Sequence, residues 1–289
     1  MNEFNFDRSI YTDSNTYVAL FDELLQRFTP RDWEAFQIIV SSGVSEECEA
    51  KRLIVDLTIK RHDKCISEDT AWLSIQALIK LGVLRAEKMS TGYRNFKLLI
   101  ATDLGKHLYR ITFKKEPAEQ EHIALLREHA SLEHGYMIKD VKKILVKRGV
   151  YREVSTNRKL NRIMLNEGRS VIPDVIAKPY GIQNEYYEVE CGTHNQAEFN
   201  AKCNKLLGVT SDINIIGKNR DSITRILVPQ IERWIKSVGI GVLQQISETV
   251  TVYGMTDFAR RKKTYSLDLS KGKLICHFKP EKEDSWDEE

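Results

Sequence analysis

The sequence predicts a mixed α and β chain in two parts, and three observations predict it. From Thr29 to Gly82 apolar residues fall in helix-like blocks with capping residues, and two short alternating runs follow. Lys114–Glu121 is charged, holds one proline and has no apolar period, which marks a linker. From Ser170 to Asn219 the pattern reads strand, strand, helix, strand. At 289 residues the chain is long for one domain and comfortable for two. The expected division is 1–115, 122–258 and a tail over 259–289.

Composition narrows the class. With 42% hydrophobic and 29% charged residues the chain is neither disordered nor membranous, and no apolar run is long enough to span a bilayer. The start, Met1-Asn2-Glu3-Phe4-Asn5, lacks a basic-then-apolar leader, so a cytoplasmic location is expected. Five scattered cysteines without CxxC spacing argue against a disulfide framework or a zinc site. A net charge of +3 says little by itself, and its distribution matters more. No phosphate-cradling glycine loop, G-x-S-x-G elbow or His-rich motif occurs, which excludes the common nucleotide and serine-hydrolase chemistries.

In order, a helix is expected over Thr16–Arg27. Thr29 then caps a second helix with Pro30 in its first position, ending near Ser42-Gly43. A third runs from about Glu46 to Ile59, and Ser67 caps a fourth that exits at Leu81-Gly82. Strands Val83–Lys88 and Arg94–Ala101 flank Ser90-Thr91-Gly92, and a helix opens at Thr102-Asp103. "SEDTAWLSIQALIKLGVLRAE" and "GYRNFKLLIATDLGKHLYR" resemble the winged-helix domains of bacterial DNA-binding proteins. The resemblance implies a groove-reading helix with Ser67, Glu68, Thr70, Ser74 and Gln76 toward DNA, and Lys88, Tyr93 and Arg94 on the wing. Winged helices also serve as protein-interaction modules, and that helix carries no Arg or Lys before Lys80.

After the linker a helix is expected from Ile123 to about Val150, broken near Gly135. Lys139, Lys142, Lys143, Lys147, Arg148, Arg152, Arg158, Lys159, Arg162 and Arg169 give this stretch a sustained positive excess. A solvated helix face explains part of it. A phosphate backbone lying across the stretch explains it better, because acids follow directly.

Those acids come on two strands. Val171-Ile172-Pro173-Asp174-Val175-Ile176 precedes a turn at Pro179-Tyr180-Gly181, and Tyr186–Gly192 follows. The period of two puts Glu188 and Glu190 on one face and Tyr187, Val189 and Cys191 on the other. A divalent cation can bridge acids so placed, and hard oxygen ligands suit magnesium or manganese. A helix capped by Thr193 or Asn195 then presents Lys202 and Lys205 three residues apart, and Ile213–Ile216 forms the next strand. The Pro-Asp pair, Glu188-x-Glu190, and the helix and strand behind them resemble the PD-(D/E)xK nuclease superfamily. "IPDV", "YYEVECGT" and "KCNK" more narrowly resemble replication-relaxation-type proteins of plasmids and conjugative elements.

The resemblance covers roughly residues 132–250. It implies a restriction-endonuclease-like domain with a central mixed sheet, a metal held by Asp174, Glu188 and Glu190, and DNA as substrate. The motif places a lysine two residues after the second acid, where this chain has Glu190, so Lys202 or Lys205 is the candidate substitute. Glu133 is the candidate for a further acid from the preceding helix, His134 reads as a capping or packing group, and His194 lies nearer the presumed chemistry. Arg220–Ser237 is expected to be a helix kinked at Pro229, and Ile240–Tyr253 one or two strands covering the sheet edge. Arg260–Lys263 is a basic cluster ahead of an acidic end, Glu281–Glu289.

The expected function is a metal-dependent DNA endonuclease or nickase of a mobile element or defence system, working with other proteins of that system. A cut through both strands needs two active sites, hence a homo-oligomer. The alternative is a non-catalytic DNA-binding accessory factor on a degenerate nuclease fold.

Overall fold

The computed structural model of the chain describes residues 24, 26–63, 65–129, 131–181 and 183–278. Most of the helix expected over Thr16–Arg27 and all of the acidic end lie outside the described residues. The described chain is mixed α+β and divides into two compact units, residues 24–90 with 94–127 and residues 91–93 with 128–278. The boundary therefore falls near 127, not at 115, and the second unit runs well past 258.

In the first unit, α1 (Pro30–Ser42), α2 (Glu47–His62) and α3 (Glu68–Lys80) precede an antiparallel pair, β1 (Leu84–Ser90) and β2 (Asn95–Ala101), and then α4 (Asp103–Phe113). The caps read from sequence form as bonded caps. Thr29 and Asp32 make a reciprocal capping box, Ser67 accepts from the Thr70 N–H, and Thr102 accepts from the Gly105 N–H. Phe36, Ile38, Ile39, Ile54, Ile75, Leu78, Leu84, Leu99 and Leu108 fill one core.

The expected linker is docked on this unit rather than solvated. The Ala118 N–H donates to Val40 O at 3.1 Å and the Glu121 N–H to Gly43 O at 2.8 Å. Gln120, 5% exposed, accepts from the Ala101 N–H and donates to Leu99 O, extending the bonding of β2. Gly43 is left-handed at φ +70°, and a Cβ there would sit 2.3 Å from Glu119 O, so the docked segment requires glycine. A charged composition did not reveal one buried amide that satisfies two backbone groups.

The helix expected over 123–150 is two helices, α5 (Glu121–Glu128) and α6 (Leu132–Arg148). The break lies before Ser131, which caps α6 through the His134 N–H, while Gly135 sits inside the helix. The second unit is built on a seven-stranded mixed sheet with β3 (Tyr151–Ser155) at one edge. A two-stranded ribbon, β4 (Ile163–Met164) and β5 (Ser170–Val171), precedes the large strands β6 (Val175–Pro179) and β7 (Glu185–Glu190). Then come α7 (Gln196–Leu207), β8 (Asp212–Gly217), α8 (Arg220–Ser222), a π-helical turn over Ile223–Leu227, and α9 (Val228–Val238). The unit ends with α10 (Ile240–Gln245), β9 (Thr249–Gly254), α11 (Met255–Ala259), β10 (Tyr265–Asp268) and β11 (Lys273–Cys276).

The order across the sheet is β11-β10-β9-β8-β7-β6-β3. β3, β6 and β7 are antiparallel neighbours, β7, β8 and β9 run parallel, and β10 and β11 return antiparallel. Three expectations change here. Residues 240–245 are helical, β9 is interior rather than a cover for the edge, and β10 and β11 complete the sheet instead of lying in a tail. The strand expected over 171–176 is split at Pro173, which has no N–H to give to a ladder. Ahead of Pro229 the helix widens into the π turn, and the Val228 N–H reaches Ile223 O. Proline removes the next N–H, so this local slack is where the chain accommodates it.

The sheet has two packed faces. Tyr187, Val189 and Cys191 pack with Met137, Ile138, Val141 and Leu145 of α6 and Phe258 of α11. On the other face Phe199, Cys203 and Leu206 of α7 and Ile231, Trp234 and Ile235 of α9 cover Ile213, Ile215, Val250 and Val252. Glu188 and Glu190 belong to this second face, as the period of two requires.

Candidate active site

Asp174 stands just before β6, where the β6–β7 ladder ends. The last pair of the ladder is Val175 with Tyr187, so the polar groups of Val189 have no partner strand on that side. Two side chains take them: the Asp174 carboxylate accepts the Val189 N–H at 3.0 Å, and His134 Nε2 lies 3.0 Å from Val189 O. Backbone groups must be paired when buried, and this requirement fixes where Asp174 and His134 sit. Asn161, 1% exposed, holds the same loop from behind, donating to Pro173 O at 3.0 Å and Ser155 O at 3.2 Å.

Glu188 and Glu190 are 2% and 1% exposed, which is expensive for carboxylates without a counter-charge. Lys202 supplies it. Its ammonium lies 2.7 Å from Glu188, 2.9 Å from Glu190 and 3.4 Å from Asp174. The contact with Glu188 is close but poorly angled, so neither Glu188 oxygen accepts a well-formed hydrogen bond. His194, on the loop after β7, lies 2.8 Å from the second oxygen of Glu190.

The protonation pattern follows from these neighbours. Burial by itself would raise Asp174, but the Lys202 ammonium and the contact with His134 hold it well below the usual carboxylate range. Burial likewise opposes ionised Glu190, yet Lys202 and His194 hold it low. Glu188 goes the other way: complete burial, with the Asp174 carboxylate adding to it, outweighs Lys202 and keeps it protonated well above its ordinary value. Lys202 is held up by the three carboxylates against the pull of burial, and His194 is raised chiefly by its hydrogen bond with Glu190. Burial and neighbouring charge thus push the adjacent Glu188 and Asp174 carboxyls in opposite directions.

A divalent cation such as magnesium is commonly held by one or two carboxylates and keeps several waters, and Asp174 and Glu188 are the acids that could hold one here. Among the described residues, Asp174, Glu188 and Glu190 do not form a set of three with ligand atoms within 4.8 Å of one another. The Glu190 oxygens face Lys202 and His194. Lys205 does not reach the acids either. Three residues along α7 turn it about 60° from Lys202, and it is exposed above a separate hollow. Glu133 is engaged by Lys218 at 2.7 Å and is not part of the cluster.

The proposed DNA-contacting residues separate by exposure. Lys142, Lys143 and Lys147 line the outer face of α6, and Arg158 and Lys159 occupy the exposed turn that Asn161 ties to the Asp174 loop. Arg148 turns inward, donating to Phe258 O at 2.7 Å with its guanidinium 4.2 Å from the Phe258 ring centre. Arg94 pairs with buried Glu46 at 2.8 Å and stacks on Phe96. Ser67 is engaged as the α3 cap with Thr70 beside it, and Ser74 is buried. The outward face of α3 instead shows Trp72 and Leu73, 40% and 58% exposed.

Sequence reading missed a second acidic group in the first unit, where Glu46, Glu49 and Glu121 bring carboxylate oxygens within 4.8 Å of one another. The Arg94 guanidinium already provides a counter-charge there. All five cysteines are free thiols. No helix among the described residues is long and apolar enough to cross a membrane. Comparison with protein-family models, with curated proteins and with solved structures returns no match to this chain.

Proposed function

We propose that the second unit is a metal-dependent DNA endonuclease or nickase of a mobile element or defence system. The observation that carries this reading is the convergence of a lysine from α7 on three acids from β7 and the β5–β6 loop, all within 3.4 Å of its ammonium. Leaving aside the short β4–β5 ribbon, the element order α6-β3-β6-β7-α7-β8, with the Asp just before β6 and Glu-x-Glu on β7, supports the likeness to the nuclease core that the motifs resemble. Lys202 then stands in for the motif lysine from a different element.

Asp174 and Glu188 would hold magnesium or manganese, which lowers the pKa of a bound water and stabilises charge on the phosphate. Water would attack phosphorus and lose its proton to solvent, while one P–O ester bond breaks and the leaving oxygen takes a proton from solvent. Lys202 would swing from the carboxylates to the phosphate oxygens and neutralise charge there.

The first unit, with three helices and a two-stranded ribbon, supports a winged-helix reading. Exposed Trp72 and Leu73 beside Glu68 and Asp69 suit a protein partner of the same system better than a DNA groove. One observation favours a second reading of the chain as a non-catalytic DNA-binding factor: the Lys202 ammonium is already engaged by all three acids.

Cleavage of supercoiled plasmid with magnesium or manganese tests the two. Nicking or linearisation by wild type that disappears in Asp174→Ala and Lys202→Ala supports the nuclease. No cutting, with a salt-sensitive gel shift unchanged in Asp174→Asn, supports the binding factor.

A further inference from the structure

We propose that Leu160 is a wedge that enters the base stack of a DNA duplex beside the phosphate presented to Asp174, Glu188 and Lys202. This deepens the DNA reading of the same unit and rests on it.

Leu160 is 75% exposed. A single exposed leucine is ordinary on a protein surface, so exposure by itself carries little. This one differs in what holds it, what surrounds it and where it stands.

It sits on a tied turn between β3 and β4. The Asn157 side chain accepts from the Lys159 N–H at 3.0 Å and the Leu160 N–H at 3.2 Å, and the Asn161 N–H donates to Asn157 O at 2.8 Å. Arg158 pins the turn from outside through a bond to Glu128 O at 2.8 Å. An apolar side chain thus projects from a backbone that is already bonded, and it meets a partner without the cost of ordering a loop.

The surroundings are cationic. Arg152, Arg158, Lys159 and Arg162 are exposed, and the one acid from 152 to 162, Glu153, is taken by Lys178 at 2.8 Å. An apolar protein partner would have to desolvate these charges. A duplex meets them with phosphates that flank an apolar base stack, and a leucine enters such a stack by parting one step.

Position ties the turn to the acid cluster. Asn161, the next residue and 1% exposed, donates to Pro173 O at 3.0 Å and to Asp174 O at 3.5 Å. Leu160 lies one Cα step of about 3.8 Å from it. Base pairs stack about 3.4 Å apart, so the step parted by Leu160 falls within a few pairs of a phosphate held at Asp174. Parting a step costs least where a pair is mismatched, because less stacking is lost there. The wedge therefore gives this unit a preference for duplexes that open easily, which the acids and Lys202 do not supply.

The test uses the full chain without divalent ion and two duplexes, one fully matched and one with a single central mismatch. Each carries a fluorescent aminopurine base beside the centre, whose emission rises when it unstacks. Leu160→Ala and Leu160→Met are compared with Tyr180→Ala, which removes a side chain 77% exposed on the β6–β7 turn. Wild type should bind the mismatched duplex severalfold more tightly and raise its emission. Leu160→Ala should lose the preference and the rise while keeping its slope of log affinity against log salt, since no cation is removed. Leu160→Met and Tyr180→Ala should behave as wild type. Wild-type duplex binding with neither preference nor rise overturns the wedge and leaves the DNA reading standing, as does a Leu160→Ala variant that keeps both. Equal loss in Leu160→Met or Tyr180→Ala overturns it too, because each leaves an apolar side chain at position 160. No duplex binding by wild type overturns the wedge and the DNA reading together. Matching thermal melts of the three variants exclude misfolding as the cause.

Discussion

Lys202 is the residue on which the candidate site depends. Its substitution by Met would leave buried Asp174 and Glu190 without their counter-charge, a loss on the order of 3–5 kcal/mol for a broken buried pair. Urea unfolding of Lys202→Met should show that loss, and magnesium should restore part of it if the ion takes the same place. Glu188 predicts the opposite sign. Its folded value is raised, so its contribution is fully present below the unfolded carboxylate value and is lost as pH rises toward the folded one. Glu188→Gln removes that loss, so its thermal midpoint should exceed wild type at neutral pH, the two should converge near pH 4, and metal-induced stabilisation should vanish. Asp174 and Glu190 run the other way, since their depressed values give stability that disappears as pH falls through them.

At the scale of elements, the close seating of the π turn on β8 depends on Gly217. A Cβ there would lie 2.6 Å from Ile223 Cγ1 and 2.8 Å from Leu227 Cδ1, and both side chains are fully buried. Gly217→Ala should cost roughly 1–3 kcal/mol by overpacking, measurable as a lowered denaturation midpoint with unchanged slope. The start of β9 carries a second buried acid. Burial, with the Asp212 carboxylate second, pushes Glu248 up to about 8 against a weaker pull from the Ile213 N–H. Glu248 is fully buried and neither oxygen makes a well-aligned hydrogen bond. Its contribution is therefore complete below its ordinary 4.5 and lost as pH climbs through about 8. Glu248→Gln should gain stability over wild type across that interval and plateau above it, as followed by thermal melts in a pH series.

For the whole molecule, each unit has its own apolar core, centred on Phe36, Ile75 and Leu99 in the first and on Phe199, Trp234 and Val250 in the second. Calorimetry of the full chain should resolve two transitions. Phe36→Ala is expected to lower one by about 3–5 kcal/mol and Trp234→Ala the other by a similar amount. Magnesium should raise only the transition that Trp234→Ala lowers, because ligand linkage acts on the unit that holds the ion. A single transition moved by both substitutions would show that the units unfold together.

Sequence by itself determined what depends on local chemistry. Thr29, Ser67 and Thr102 cap the helices they precede, because a short oxygen-bearing side chain ahead of an apolar block satisfies amides that the helix leaves open, while between Thr193 and Asn195 the folded chain uses Asn195. Glu188 and Glu190 share a face because strand alternation leaves no other choice. Tertiary structure decided which charges meet. Lys202 and Lys205 are equivalent in composition and spacing, yet rotation about α7 sends one into the acids and the other above a hollow. Arg94 and Arg148 read as surface cations and became partners of Glu46 and Phe258. His134 reads as a packing group and stands instead against Val189 and Asp174, where a ladder happens to end. β10 and β11 belong to the sheet through pairing with β9, a contact between distant segments that leaves no period in the sequence. Caps and alternation are set within a few residues of themselves, whereas charge pairing and strand order are set by the folded neighbours that compete to satisfy buried groups.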